Sequence, residues 1–122
     1  INISSINSMV AGRQIHGRHY ETSKAAIVQF TRATAADWAP HKITVNAICP
    51  GIVVTDMVHE RAGRAQGLGS VDEVVSFYTA GTALQRPVTV EEVAAFAVHL
   101  ASDDGAGFSG GTISLDGGDA YY

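Results

Sequence analysis

The chain predicts an α/β fold, one half of a doubly wound parallel sheet, and three observations carry that expectation. Short β-branched, apolar runs closed by turn residues occur at Ile1–Ser5, Ile43–Ile48 and Thr112–Leu115. A long Ala-rich helical stretch, Tyr20 to Trp38, separates the first two runs. A second, well-capped helical stretch beginning at Thr89 precedes the third. Strands alternating with helices in this way build parallel βαβ units.

Taken in order, Ile1 to Ser5 reads as a short buried strand ending in two hydroxyls. It opens the chain without a polar lead-in, and a buried parallel strand wants neighbours on both sides. The expectation is therefore a segment of a longer protein. Asn7 to His19 is rich in Gly, Ser, Arg and His without periodicity and reads as a loop. Tyr20 to Trp38 combines strong helix formers with Ala25, Ala26, Ala33, Ala35 and Ala36, and carries little charge. Such a helix is expected to be buried on more than one side, with its small residues admitting another helix, from this subunit or a second one. Pro40 sits just past its end, where a helix stop is common. Ile43–Ile48 reads as the second strand, running into Cys49-Pro50-Gly51. Residues 56–85 have a mixed pattern interrupted by glycines and read as an inserted, mobile segment rather than core, with a short helix over Val71–Thr79. Thr89 and Glu92 have the spacing of a capping box, and Ser102-Asp103-Asp104-Gly105 ends the helix they start.

Composition bounds the function. A chain of 122 residues holds one core rather than two. Its 46% hydrophobic and 16% charged residues describe a globular chain. A net charge of -4 with scattered Lys and Arg argues against nucleic acid as a partner. No apolar run approaches the ~20 residues that cross a bilayer, so no membrane partner is expected. The lone Cys49 cannot form an internal disulfide and no signal-peptide pattern is present, which suits a cytoplasmic location. The five His residues lack the spacing of metal ligands, so no metal is expected.

The chemistry concentrates at Tyr20 and Lys24. Four residues apart on a helix, they stand one turn apart on the same face. A phenol titrates near pH ~10 unaided, and a neighbouring ammonium lowers that value. Such a pair can exchange a proton with a hydroxyl or carbonyl near neutral pH. Alone, the spacing is unspecific.

Four segments together are specific. They are Asn2-Ile3-Ser4-Ser5, then Tyr20-Glu21-Thr22-Ser23-Lys24-Ala25-Ala26, then the strand and turn from Ile43 through Pro50-Gly51-Ile52-Val53-Val54-Thr55 to Met57, and finally Arg86 to Ala94 with Ser109 to Gly118. In that order the chain resembles the C-terminal, catalytic half of a short-chain dehydrogenase/reductase. The resemblance implies a Rossmann-like doubly wound sheet, with residues 1–122 as the C-terminal catalytic part of one domain whose N-terminal dinucleotide-binding half lies outside this chain. It implies an NAD- or NADP-dependent oxidoreductase that interconverts an alcohol and a carbonyl by hydride transfer, on a small-molecule alcohol or ketone, as a homodimer or homotetramer. Tyr20 would be the general acid/base and Lys24 would lower its pKa and hydrogen-bond the nicotinamide ribose. Ser5 would hold the substrate oxygen. Ser8 is the competing serine, twelve residues before Tyr20 where Ser5 is fifteen before it. Pro50, Gly51, Val53 and Thr55 would meet the nicotinamide end of the cofactor.

Other readings stay in view. Gly63 to Gly69 spells G-x-x-x-G-x-G. A phosphate-cradling loop, however, should follow a buried strand and open a helix, and here the expected element is a flexible substrate lid. His16, Arg18 and His19 would give the pocket a polar rim suited to a sugar or polyol; a 3-oxoacyl substrate is the other class considered. A serine hydrolase lacks its G-x-S-x-G elbow. A non-catalytic segment acting only in assembly is the alternative to the enzyme.

Overall fold

The computed structural model of the chain describes residues 1–11, 17–62 and 69–119. Three strands form one parallel sheet in the order β1-β2-β3: β1 (Asn2–Ile3), β2 (Ala47–Pro50) and β3 (Thr112–Leu115). Asn2 pairs with Ala47 and Ile3 with Ile48, while Ala47 to Pro50 pair in register with Thr112 to Leu115. The helices are α1 (Arg18–Trp38), α2 (Asp56–Arg61), α3 (Val71–Thr79) and α4 (Val90–Ala101).

Helix α1 runs antiparallel to the strands. Asn2 Nδ2 donates to Thr31 Oγ1 at 2.9 Å, and two residues further along β1 the Ser4 hydroxyl donates to the Lys24 carbonyl at 2.8 Å. Advancing along the strand therefore retreats along the helix. The first turns of α1 consequently lie at the carboxyl edge of the sheet, where open α/β sheets bind ligands.

The central strand β2 is sealed on both faces, with Ala47, Ile48 and Cys49 each 0% exposed. Its start differs from the expected Ile43. Ile43 is 46% exposed, and Val45 and Asn46 are bonded to the approach to β3 and to the start of β1 instead. The Asn46 side chain donates to the Phe108 carbonyl (2.7 Å) and accepts from Gly111 N–H (3.0 Å), fastening the entry of β2 to that of β3. Strand limits follow the partners available, and β1 begins to pair only at Asn2.

Among the described residues β1 has one strand neighbour, and Ile1 and Ile3 are 49% and 46% exposed in this chain. Within this single chain, α1 is covered along one side. Its buried positions are Val28, Thr31, Thr34 and Ala35, a single stripe, while Phe30, Ala26 and Ala33 face outward. One expectation is corrected: residues 56–85 do contribute core, since Val58 and Val74 are buried in α2 and α3. The Thr89–Glu92 capping box is present at the head of α4, and a second one, Ser70–Glu73, starts α3.

Candidate active site

The site grows from the end of β1. Beyond Ile3 the chain continues through Ser4 and Ser5 into a tight 3-10 turn, Ile6–Ser8, with Ser5 as its N-cap. The buried Ser5 hydroxyl oxygen accepts from Asn7 N–H at 3.2 Å. That bond uses a lone pair, so the Ser5 proton is left to donate. Ser8 sits three residues on in the same turn, and its hydroxyl donates to the Ser5 carbonyl at 2.6 Å. The two competing serines are thus neighbours, with different duties: Ser8 spends its proton on the backbone.

Tyr20 and Lys24 occupy the first turns of α1, both partly exposed. Lys24 Nζ lies 5.7 Å from the Tyr20 ring centroid, within cation–π range, and donates to the Ile3 carbonyl at 3.2 Å. An ammonium has three protons, so the Ile3 bond leaves two for other acceptors. The cation, the phenol and Ser5 therefore share the carboxyl end of β1.

Pro50 and Gly51 close β2 on the same edge. Ile3 pairs with Ile48, and Ser5 and Pro50 each follow that pair by two residues. Gly51 N–H donates to the Leu115 carbonyl at 3.1 Å, and a Cβ at Gly51 would come within 2.9 Å of Asp116 Cα. Only glycine fits this close crossing of two chain ends. Val53 forms a parallel bridge with Val88, closed through the Ile52 carbonyl, which accepts from Val88 N–H at 3.0 Å. The bridge does not consume Val53's own N–H and C=O. Thr55 is the exposed N-cap of α2, yet its hydroxyl makes no capping bond.

Val88 is in turn held by a charged staple. Arg86 reaches both carboxylate oxygens of Glu92, at 3.0 and 2.7 Å, and Glu92 also accepts from Thr89 N–H at 2.8 Å. The hydrogen bond from Arg86, then that from Thr89, hold the Glu92 carboxyl down at about 2. At the other end of the bend, burial and then the neighbouring Asp116 push Asp119 above the usual carboxylate range.

Other singled-out residues make contacts of their own or lie outside the described residues. His16 and residues 63–68 of the glycine motif lie outside the described residues. Gly69, the last glycine of that motif, donates from N–H to Glu73 at 2.7 Å as part of the start of α3. Arg18 pairs with Glu21 at 2.6 Å and His19 is exposed. His99 packs between Phe96 and Phe108. Among the described residues, no group of three His, Cys, Asp or Glu could hold a metal ion, and no helix is long and apolar enough to cross a membrane. The sequence reading missed Asp116 against Gly51 and the contact of Ser8 with Cys49; pairings 41 or more residues apart leave no local signal.

Residues 1–119 match the family model described as Enoyl-(Acyl carrier protein) reductase. The short-chain reductase protein NovJ of Streptomyces niveus is 44% identical over 119 residues, which are 97% of this chain and 43% of that protein. The chain belongs to the short-chain dehydrogenase/reductase family. The D-beta-hydroxybutyrate dehydrogenase of Rhizobium meliloti is another relative of this family member, 34% identical over 97% of the chain and 46% of the dehydrogenase. Among solved structures, the NADPH-dependent reductase YwfH, involved in bacilysin biosynthesis, superposes with a TM-score of 0.87 at 27% identity, over 99% of this chain and 46% of that one. The chain thus spans a little under half the length of the relatives it matches.

The groups at the carboxyl edge fit the nicotinamide end of a dinucleotide. An uncapped Thr55 hydroxyl, an unconsumed Val53 peptide edge and spare Lys24 protons offer hydrogen-bonding groups for an amide and a ribose. Gly51 admits close backbone approach beside them.

Proposed function

We propose that this chain is the C-terminal, catalytic part of an NAD- or NADP-dependent oxidoreductase that interconverts an alcohol and a carbonyl. The observation that carries the reading is the Lys24 ammonium, bonded to the Ile3 carbonyl and set 5.7 Å from the Tyr20 ring, on the same sheet edge as the Pro50–Gly51 bend. A bound nicotinamide supplies or accepts the hydride. Tyr20 Oη gives its proton to the carbonyl oxygen in reduction and takes the alcohol proton in oxidation. Lys24 stabilises negative charge on Tyr20 Oη and, with its remaining protons, binds the ribose. Ser5 donates its free proton to the substrate oxygen and so orients it toward the phenol. Pro50, Gly51, Val53 and Thr55 hold the carboxamide end of the cofactor.

The dinucleotide-binding half belongs to the part of the protein outside residues 1–122 in this reading, as the coverage of the relatives supports. The substrate class is a small hydroxylated or 3-oxo compound, and a cytoplasmic location belongs to the same proposal. The outward row of Ala26, Phe30 and Ala33 supports a homodimer or homotetramer through α1, with Phe30 61% exposed. That row also favours the second reading, a segment that serves assembly alone. Turnover with either nicotinamide cofactor, assayed on polyols, 3-oxo esters and simple ketones, separates the two. Activity lost in both Tyr20→Phe and Ser5→Ala supports the enzyme; undiminished activity in Tyr20→Phe overturns the mechanism.

A further inference from the structure

The Ser8 side chain is not idle. Its hydroxyl donates to the Ser5 carbonyl at 2.6 Å, and its N–H donates to the same oxygen at 2.9 Å. Both lone pairs of that carbonyl are therefore taken by one residue. The same hydroxyl lies 3.5 Å from Sγ of Cys49, a residue 0% exposed in the middle of the sheet. A serine hydroxyl has one proton, and here it points at Ser5, which leaves the Cys49 thiol as the donor to Ser8 Oγ. The result is a chain of bonds from Cys49 through Ser8 to the Ser5 carbonyl, spanning β2 and the turn after β1. Cys49 directly precedes Pro50 and Gly51, so the link joins the serine-bearing turn to the strand that ends in the bend.

We infer that Ser8 is a positioning residue for Ser5, clamping the Ser5 peptide to Cys49 so that the Ser5 hydroxyl points in one direction. The inference rests on the proposed role of Ser5 in holding the substrate oxygen. The Ser5 side chain is fixed by Asn7 N–H and its backbone by Ser8, so removing the Ser8 hydroxyl frees the backbone half of that constraint. The packed neighbours remain, and the consequence is misdirection of a proton donor rather than loss of the fold.

A double-mutant cycle in the whole enzyme, dinucleotide-binding half included, with its cofactor tests this. Ser8→Ala is expected to lower kcat by about 10- to 100-fold, the scale of a misplaced reacting group, with the dissociation constant for the nicotinamide cofactor changed by less than about twofold. Ser8→Thr, which keeps the hydroxyl, restores most of the rate, and Cys49→Ser, which keeps a donor, outperforms Cys49→Ala. In a Ser5→Ala background, Ser8→Ala should then cost less than about twofold, because the two residues act as one unit. Equal Ser8→Ala effects in both backgrounds, or a rate that falls only in step with a lowered melting temperature, overturn the positioning role while leaving Ser5 in place. If Ser5→Ala keeps full activity and Ser8→Ala loses it, Ser8 is itself the substrate-holding serine, and both the positioning role and the Ser5 assignment fail. If neither variant loses activity, both fail together. Should Ser8→Ala not fold, the comparison of Cys49→Ser with Cys49→Ala decides: equal rates overturn the link.

Discussion

Lys24 is held to the end of β1 by two hydrogen bonds that run in opposite directions. Its ammonium donates to the Ile3 carbonyl at 3.2 Å, and its own carbonyl accepts from the Ser4 hydroxyl at 2.8 Å. The helical turn that carries the cation is thereby fixed to the strand whose next residue but one is Ser5.

Replacing Lys24 by Ala removes the ammonium and keeps the Ser4 bond. The expected outcome is a loss of about 10²-fold or more in kcat, the range in which positioned proton-transfer groups contribute. Weaker cofactor binding should accompany it, read as a higher dissociation constant by titration of the reduced cofactor. Lys24→Arg should recover only part of the activity, since a planar guanidinium does not replace a compact ammonium.

Gly51→Ala places a methyl group 2.9 Å from Asp116 Cα and 3.1 Å from the Asp116 carbonyl oxygen. Both are backbone atoms, so one of the two chain ends must move. Overpacking of this kind costs about 1–3 kcal/mol, read from denaturant midpoints. Because the displaced bend carries Pro50 and Gly51, proposed above to hold the cofactor, cofactor affinity should fall as well. Unchanged stability would show that the crossing is looser than the structure has it.

The Arg86–Glu92 staple carries a pH dependence. Held at about 2 by Arg86 and Thr89, the Glu92 carboxyl lies below its ordinary value of 4.5. A depressed acid stabilises the fold above its unfolded pKa and ceases to do so as pH falls. This contribution is therefore complete above 4.5 and lost on the way down to about 2. Both partners are exposed at the surface, so the effect is small and weakened by salt. Denaturant midpoints measured down that range should fall less steeply in Glu92→Gln than in the parent. Identical slopes would remove Glu92 from the acid response.

Local signals were readable in the sequence and long-range ones were not. Helix α3 lies at the expected Val71–Thr79, β3 at the expected Thr112–Leu115, and the Thr89–Glu92 box caps α4 as its spacing predicts. Each of these is decided by residues within a few positions of one another. The second strand, by contrast, starts at Ala47 rather than Ile43 because its partners, β1 and β3, determine where a ladder can begin. The apolar faces of α1 and β1 follow the same rule. Apolar character marks a face that can be covered, but what covers Phe30 or Ile3 is a matter of neighbours that a one-dimensional pattern does not contain. At the site, the juxtaposition of Tyr20 and Lys24 followed from helical spacing alone, whereas the different duties of Ser5 and Ser8 emerged only from their hydrogen bonds.

The central claim is that the Tyr20 phenol moves the proton that accompanies hydride transfer. Its most direct test is the rate of the hydride-transfer step in rapid mixing, parent against Tyr20→Phe, with saturating cofactor and substrate. A phenylalanine keeps the ring beside Lys24 and removes only the acid. The account predicts a rate lower by about 10²- to 10⁴-fold, with the cofactor dissociation constant nearly unchanged. Equal rates in the two proteins would contradict it.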